Sequence, residues 1–150
     1  MQLGTKGRYA VSALLSMADN PRAVTSLTYI SEKERITIPY LEQIFSKLRR
    51  AGIVKSHRGQ AGGYSFVKDI KDISVAHVVI AVEENLYFTR CSRGAETFCH
   101  GSENVCKTHH LWEELTNRTL SFLENVTLED VLNNKLNATN TIKNFEKKQA

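Results

Sequence analysis

The chain has 150 residues, 41% hydrophobic and 24% charged, with a formal net charge of +4, a composition that fits one or two small globular domains. No apolar run reaches the ~18 residues that span a bilayer, and Lys6 and Arg8 interrupt the early apolar residues, so neither a membrane protein nor a signal peptide is expected. Three cysteines cannot all pair within one chain, which argues against a disulfide framework and for a reducing, cytoplasmic setting.

Residues 5–18 place Tyr9, Ala13, Leu14, Met17 and Ala18 at helical spacing and predict a first core helix, ended by Asn20-Pro21. A short second helix over 26–34 has Ser26 as its cap and Leu27 and Ile30 facing inward. Arg35 and Ile36 make the turn, and Thr37 is the expected cap of a third helix, with Pro39 in the first turn, where a missing N–H costs little. Leu41, Ile44, Phe45 and Leu48 then fall at i, i+3, i+4 and i+7, an apolar stripe that Gly52 terminates.

Ile53 to His57 alternates as a strand, Arg58 to Gly63 is a glycine-rich turn, and Tyr64 to Lys68 returns as the second strand of a hairpin. Two short helices, a longer third and a hairpin, in this order, predict a winged helix-turn-helix. Ser74 caps a fourth helix with Val75, Val78, Val79 and Val82 on one face. A further helix is expected from about His109 to Asn125, with Leu111, Leu115, Phe122 and Val126 along one side. Thr127 and Asp130 resemble a capping box opening a last short helix, and from Lys135 the sequence turns polar, as a mobile tail would. The expected organisation is mainly α with a small β-hairpin wing: a winged helix-turn-helix over 1–68, a cysteine-bearing loop and further helices over 69–134, and a polar tail over 135–150.

The charge is unevenly spread. Residues 1–60 hold ten Lys/Arg against four acids, and the remainder holds ten against twelve. The basic excess belongs to the helix-turn-helix end and points to a polyanion partner, double-stranded DNA. On the third helix, Gln43 is suited to adenine and Glu42 to the amino group of cytosine. Tyr40, Lys47, Arg49 and Arg50 suit phosphates, which position a protein without reading sequence. Glu42 is repulsive toward phosphates unless it finds a donor, so it is expected to sharpen specificity. Arg58, at the hairpin tip, is a candidate for the minor groove, where negative potential concentrates. A solvated helix face and a plain turn arginine are the simpler alternatives.

All the cysteines lie in one polar stretch, with spacing C-x7-C-x6-C-x2-H over Cys91, Cys99, Cys106 and His109. Thiolates and an imidazole suit zinc or an iron–sulfur cluster. The spacing matches neither a zinc ribbon nor a ferredoxin, so zinc, iron–sulfur and a plain thiol loop all stay open. His110 adjoins His109, but Cys106 and His109 have the i, i+3 separation that shares a helix face. The zinc-deaminase pattern is absent, and no Ser/His/Asp set or phosphate-binding glycine loop stands in a supporting context, so an enzyme is not expected.

The stretches LGTKGRYAVSALLSMA, PYLEQIFSKLRRAGIVKS, HRGQAGGY and CKTHHLWEELTNRTLSFLENVTLEDV, in this order, resemble the IscR family of bacterial iron–sulfur cluster regulators, over residues 1–134. The resemblance implies a homodimeric transcription regulator acting at promoter operators, as repressor or activator, with a long dimerisation helix over 109–125. It implies a [2Fe–2S] cluster on Cys91, Cys99, Cys106 and His109, supplied by the iron–sulfur assembly machinery whose genes the regulator controls. It implies DNA contacts from Tyr40, Glu42 and Gln43, minor-groove contacts from Arg58 and Gly59, and a phosphate-proximal helix start at Lys6 and Arg8. The sequence departs from the family in a longer cysteine loop, in RGQAGGY where RGPGGGY is common, and in Pro39 where relatives often carry serine. The other readings are a [4Fe–4S] nitric-oxide sensor of the same fold, a zinc-stabilised DNA-binding module, and an interaction protein that does not bind DNA.

Overall fold

A computed structural model describes residues 4–20, 22–59, 62–83, 86 and 107–136. Helix α1 runs Thr5–Ala18, α2 Leu27–Glu34 and α3 Ile38–Arg50. Strands β1 (Val54–His57) and β2 (Gly63–Phe66) form an antiparallel hairpin. A single 3-10 turn at Ile70–Asp72 leads into α4 (Val75–Ala81), and α5 (His109–Glu124) and α6 (Leu128–Leu132) complete the described elements. This is the mainly helical, winged helix-turn-helix architecture that the periodicity predicts.

Local chemistry accounts for most of the element ends. The Ser26 and Ser74 side chains accept from the N–H groups of Tyr29 and His77, capping α2 and α4. Thr127 and Asp130 close the expected capping box on α6 with Asp in the usual Glu/Gln role. Thr37 takes the expected N-cap position of α3, but its side chain makes no cap bond; its backbone carbonyl accepts from Tyr40 and Leu41 at 3.1 and 3.0 Å. Arg35 ends α2 in the left-handed conformation, and the Ser31 hydroxyl bonds the Ile36 carbonyl at 2.6 Å to close the turn. Gly52, at φ +71°, follows α3 as the periodicity requires.

The α3 stripe of Leu41, Ile44, Phe45 and Leu48 is buried against Ala10, Ala13, Leu14 and Met17 of α1 and Ile30 of α2. Ile73, Val78, Val82 and Leu128 join the same core, which therefore runs without a break past position 68. The first helix departs from expectation. Ala10 takes a fully buried position, whereas Tyr9 is exposed and Ala18 only half-buried. The Tyr9 ring turns outward to meet Tyr40 of α3 edge-on, with centroids 5.8 Å apart.

The hairpin pairs Val54 with Phe66 and His57 with Gly63, one residue earlier on the return strand than the sequence suggests. Val67 and Lys68 lie beyond the strand and are exposed. Thr25, before α2, bridges to Tyr64 through two bonds, Thr25 N–H to the Tyr64 carbonyl at 2.9 Å and Tyr64 N–H to the Thr25 carbonyl at 2.8 Å. That bridge fixes the wing to the helix-turn-helix.

A second, smaller cluster joins α4 to α5: Val75, Val79, Leu86 and Val126 are buried, with Leu120, Leu123 and Val131 packed on them. Of the stripe read along one side of α5, two residues face outward. Leu111 and Phe122 are 61% and 58% exposed, and Val126 is buried but lies beyond the helix. The packed side carries Thr116, Leu120 and Leu123. Among the described residues no helix is long and apolar enough to cross a membrane. Residues 137–150 of the expected tail lie outside the described residues.

Candidate nucleic-acid interface

Burying one stripe of α3 leaves the opposite face free to meet a ligand. Pro39, Glu42, Gln43, Arg49 and Arg50 are exposed, and Tyr40, Ser46 and Lys47 are half-buried. All of these but Arg49, together with Lys6 of α1, Ile44 and Val82, line a cleft of about 550 Å³. Of the residues expected to meet DNA, Lys6, Tyr40, Glu42, Gln43 and Arg50 are brought together here. Arg8 is exposed on the first turns of α1 but does not line the cleft.

Tyr40 is more constrained than a simple phosphate contact. Its hydroxyl shares a hydrogen bond with that of Thr5 at 3.3 Å, and its ring meets Tyr9 at an interplanar angle of 87°. Edge-to-face pairs of this kind contribute about 0.5–1.5 kcal/mol beyond burial. Tyr40 therefore sets the seat of α3 against α1 while presenting part of its surface to the cleft.

Sequence reasoning missed Glu83. It stands just past α4 in the left-handed region, at φ +59°. Its carboxylate accepts a hydrogen bond from Lys47 Nζ at 2.5 Å. The bond and charge of Lys47, and after them the charges of Lys6 and Arg50, hold the Glu83 carboxyl below the usual carboxylate range. Nothing in the local sequence signals this pairing, because the partners are 36 positions apart.

The wing supplies the second surface. Arg58 and Gly59 are exposed at its tip, Gly59 at φ +108°, a conformation that favours glycine. The Gly62 N–H donates to the Gly59 carbonyl at 2.9 Å, and a Cβ on Gly62 would lie 2.8 Å from the carbonyl oxygens of both Gly59 and His57. His57 Nε2 and Ser65 Oγ are 2.8 Å apart across the strands. Gln60 and Ala61 lie outside the described residues.

Cys91, Cys99 and Cys106 also lie outside the described residues, so of the expected ligand set only His109 has a described position. It begins α5, with its side chain 22% exposed against 85% for His110. Glu113 Oε2 is 3.9 Å from His109 Nε2 and 3.6 Å from His110 Nδ1.

Residues 3–134 match the family described as Rrf2, iron-dependent transcriptional regulator. The chain belongs to the Rrf2 family. It is 45% identical over 136 residues to the HTH-type transcriptional regulator IscR of Pectobacterium atrosepticum, covering 90% of this chain and 81% of that relative. Among solved structures it resembles IscR of T. potens, with a TM-score of 0.71 and 29% identity over 95% of this chain and 96% of the other. It also resembles CymR, the global cysteine regulator of B. subtilis, with a TM-score of 0.70 and 27% identity over 89% of this chain and 97% of the other. Like these relatives, this Rrf2 protein is a DNA-binding transcription regulator of winged-helix fold, and the relatives are regulators rather than enzymes. Helix-turn-helix proteins in general meet DNA through their recognition helix.

Proposed function

We propose that this Rrf2 protein is a cytoplasmic, homodimeric regulator that senses iron–sulfur cluster supply through a [2Fe–2S] cluster and controls cluster-assembly genes at promoter operators. The fold alone does not choose the signal, since it is shared with a regulator named for cysteine. The observation that carries the reading is the gathering of every cysteine of the chain, with His109, into residues 91–109, immediately before α5. Three thiolates and one imidazole fit an iron–sulfur cluster by donor chemistry. When bound, the cluster supplies a redox-active centre charged from the assembly machinery. One imidazole among three thiolates departs from the common four-thiolate set, and that departure is the reading's source of a cluster responsive to conditions. The lower exposure of His109 favours it over His110 as the fourth ligand.

In this reading residues 1–68 read DNA, 69–134 sense and dimerise, and 135–150 form a polar tail. Gln43 and Glu42 face base edges, Tyr40, Lys6, Arg8 and Arg50 the phosphates, and Arg58 with Gly59 the minor groove. The outward Leu111 and Phe122 of α5 pair with a second copy.

The test is absorption and EPR spectroscopy of anaerobically purified protein, with iron, sulfide and zinc counted, on wild type and the His109→Ala and His110→Ala variants. A coloured protein with [2Fe–2S] stoichiometry, lost in His109→Ala and kept in His110→Ala, is expected. Twice that iron and sulfide would replace the reading with a [4Fe–4S] nitric-oxide sensor. A colourless, zinc-loaded protein would replace it with a zinc-stabilised DNA binder.

A further inference from the structure

Glu83 holds a carboxylate oxygen against Lys47, one of the cations that line the cleft α3 presents. Lys47 Nζ holds it at 2.5 Å, and Lys6, Lys47 and Arg50 all line that cleft. A carboxylate and a phosphate oxygen make the same demand on an ammonium group, namely a short, charge-assisted hydrogen bond. Both partners keep some contact with solvent, Glu83 the more so. Ion pairs of that kind are weak, so this one can exchange its anion without unfolding anything.

We propose that Glu83 is a built-in occupant of a DNA-phosphate site: it holds Lys47 in the free protein and gives way to a phosphate oxygen when DNA binds. The proposal rests on the reading of the α3 face as the DNA surface and adds the control of that surface. Every DNA sequence must displace Glu83 before Lys47 can reach a phosphate. The penalty is the same for all sequences, so it trims non-specific binding to a level that base contacts must then overcome. Glu83 thus acts as a positioning residue for Lys47 in the absence of DNA and as its competitor in the presence of DNA.

The test is fluorescence anisotropy on a labelled random-sequence duplex over a series of salt concentrations. The proteins compared are wild type, Glu83→Gln, Glu83→Asn, Lys47→Met and the Lys47→Met/Glu83→Gln double variant. Asn is well tolerated in the left-handed conformation, so Glu83→Asn removes the charge while sparing the backbone. Both single Glu83 variants should bind about two- to five-fold tighter, the range expected for releasing one exposed ion pair. Their salt dependence should match wild type, because the same phosphate is neutralised in each complex. In the Lys47→Met background the gain should vanish.

A gain that persists without Lys47 would reduce Glu83 to general repulsion and overturn the proposal. A slope of log K against log salt steeper by about 0.9 in Glu83→Gln would mean that wild-type Glu83 keeps Lys47 in the complex, which also overturns it. Unchanged affinity in both Glu83 variants, with weakened binding in Lys47→Met, overturns the proposal and leaves the DNA surface standing. Unchanged affinity in all four variants also overturns the proposal and removes Lys47 from the phosphate contacts, while the other residues of the α3 face keep the DNA reading.

Discussion

Replacing Gly63 with alanine should detach the wing, and the structure allows the cost to be worked out. An added Cβ would lie 2.3 Å from the Thr25 carbonyl oxygen, 2.7 Å from its carbon and 3.0 Å from the Ser26 nitrogen, all backbone atoms. Relief requires a separation of roughly 1 Å, judged against ordinary carbon contacts of about 3.5 Å. The two Thr25–Tyr64 bonds, now at 2.9 and 2.8 Å, would then exceed hydrogen-bonding distance. Losing them costs about 2 kcal/mol, at about 1 kcal/mol each. Tyr64 also packs on Phe45 with ring centroids 4.7 Å apart, and disturbing that pair adds about 1 kcal/mol. The stiffer unfolded chain of the alanine variant returns up to about 1 kcal/mol. The net loss of about 2 kcal/mol corresponds to a fall in Tm of about 4–8 °C at this chain length. Thermal unfolding followed by circular dichroism measures the fall, and hydrogen exchange at the Thr25 and Tyr64 amides locates it. A Tm within about 2 °C of wild type, with both amides still protected, would refute the reasoning.

Two further expectations concern α5 and α6. The Asp130 carboxyl is held below its ordinary value of 3.8 by hydrogen bonds from the side chain and backbone of Thr127. A depressed carboxyl stabilises the fold above its unfolded pKa and stops doing so as pH falls through the folded value. Asp130→Asn should therefore lower Tm at neutral pH and differ little from wild type in strong acid; a pH-independent difference would contradict the cap assignment. Phe122→Lys places a charge on the outward stripe of α5, where burying Phe122 in a dimer would contribute about 1.5–3 kcal/mol per protomer. Light scattering should find the variant monomeric at concentrations where wild type is dimeric, with α5 intact, and a dimer that survives would move the interface elsewhere.

Local rules made much of the fold legible. The α3 stripe came from period, Ser26, Ser74 and Thr127 from capping chemistry, and Gly52 from its position after the last apolar residue. Periodicity tells which residues share a face but not which face is buried, and the misplacement of Tyr9 follows from that. On α5, Leu111, Leu115 and Phe122 form one stripe and Thr116, Leu120 and Leu123 another, and only packing on α4 distinguishes them. Tyr9 fits the buried period of α1, yet its ring faces Tyr40 of α3. Thr37 has the right residue type for a cap, but its carbonyl alone closes the first turn. In the candidate site, the exposed face of α3 was readable because it is the complement of a clear stripe. Glu83 and the Thr25 bridge were not, because each depends on a partner more than 35 positions away.

Phe45, Leu48, Val78, Val82 and Leu128 share one core, and that continuity governs how any signal can travel. A close-packed interior passes displacement on instead of absorbing it. A displacement arriving through Leu120 and Leu123 on Val75 and Val79 would therefore carry into the core that α3 shares. In the proposed dimer, what such a displacement would change is the distance between the two α3 helices along the double helix. Half-sites lie about 34–36 Å apart, one helical turn. Control of this kind would work like a calliper, selecting operators by their spacing before any side chain of α3 met a base.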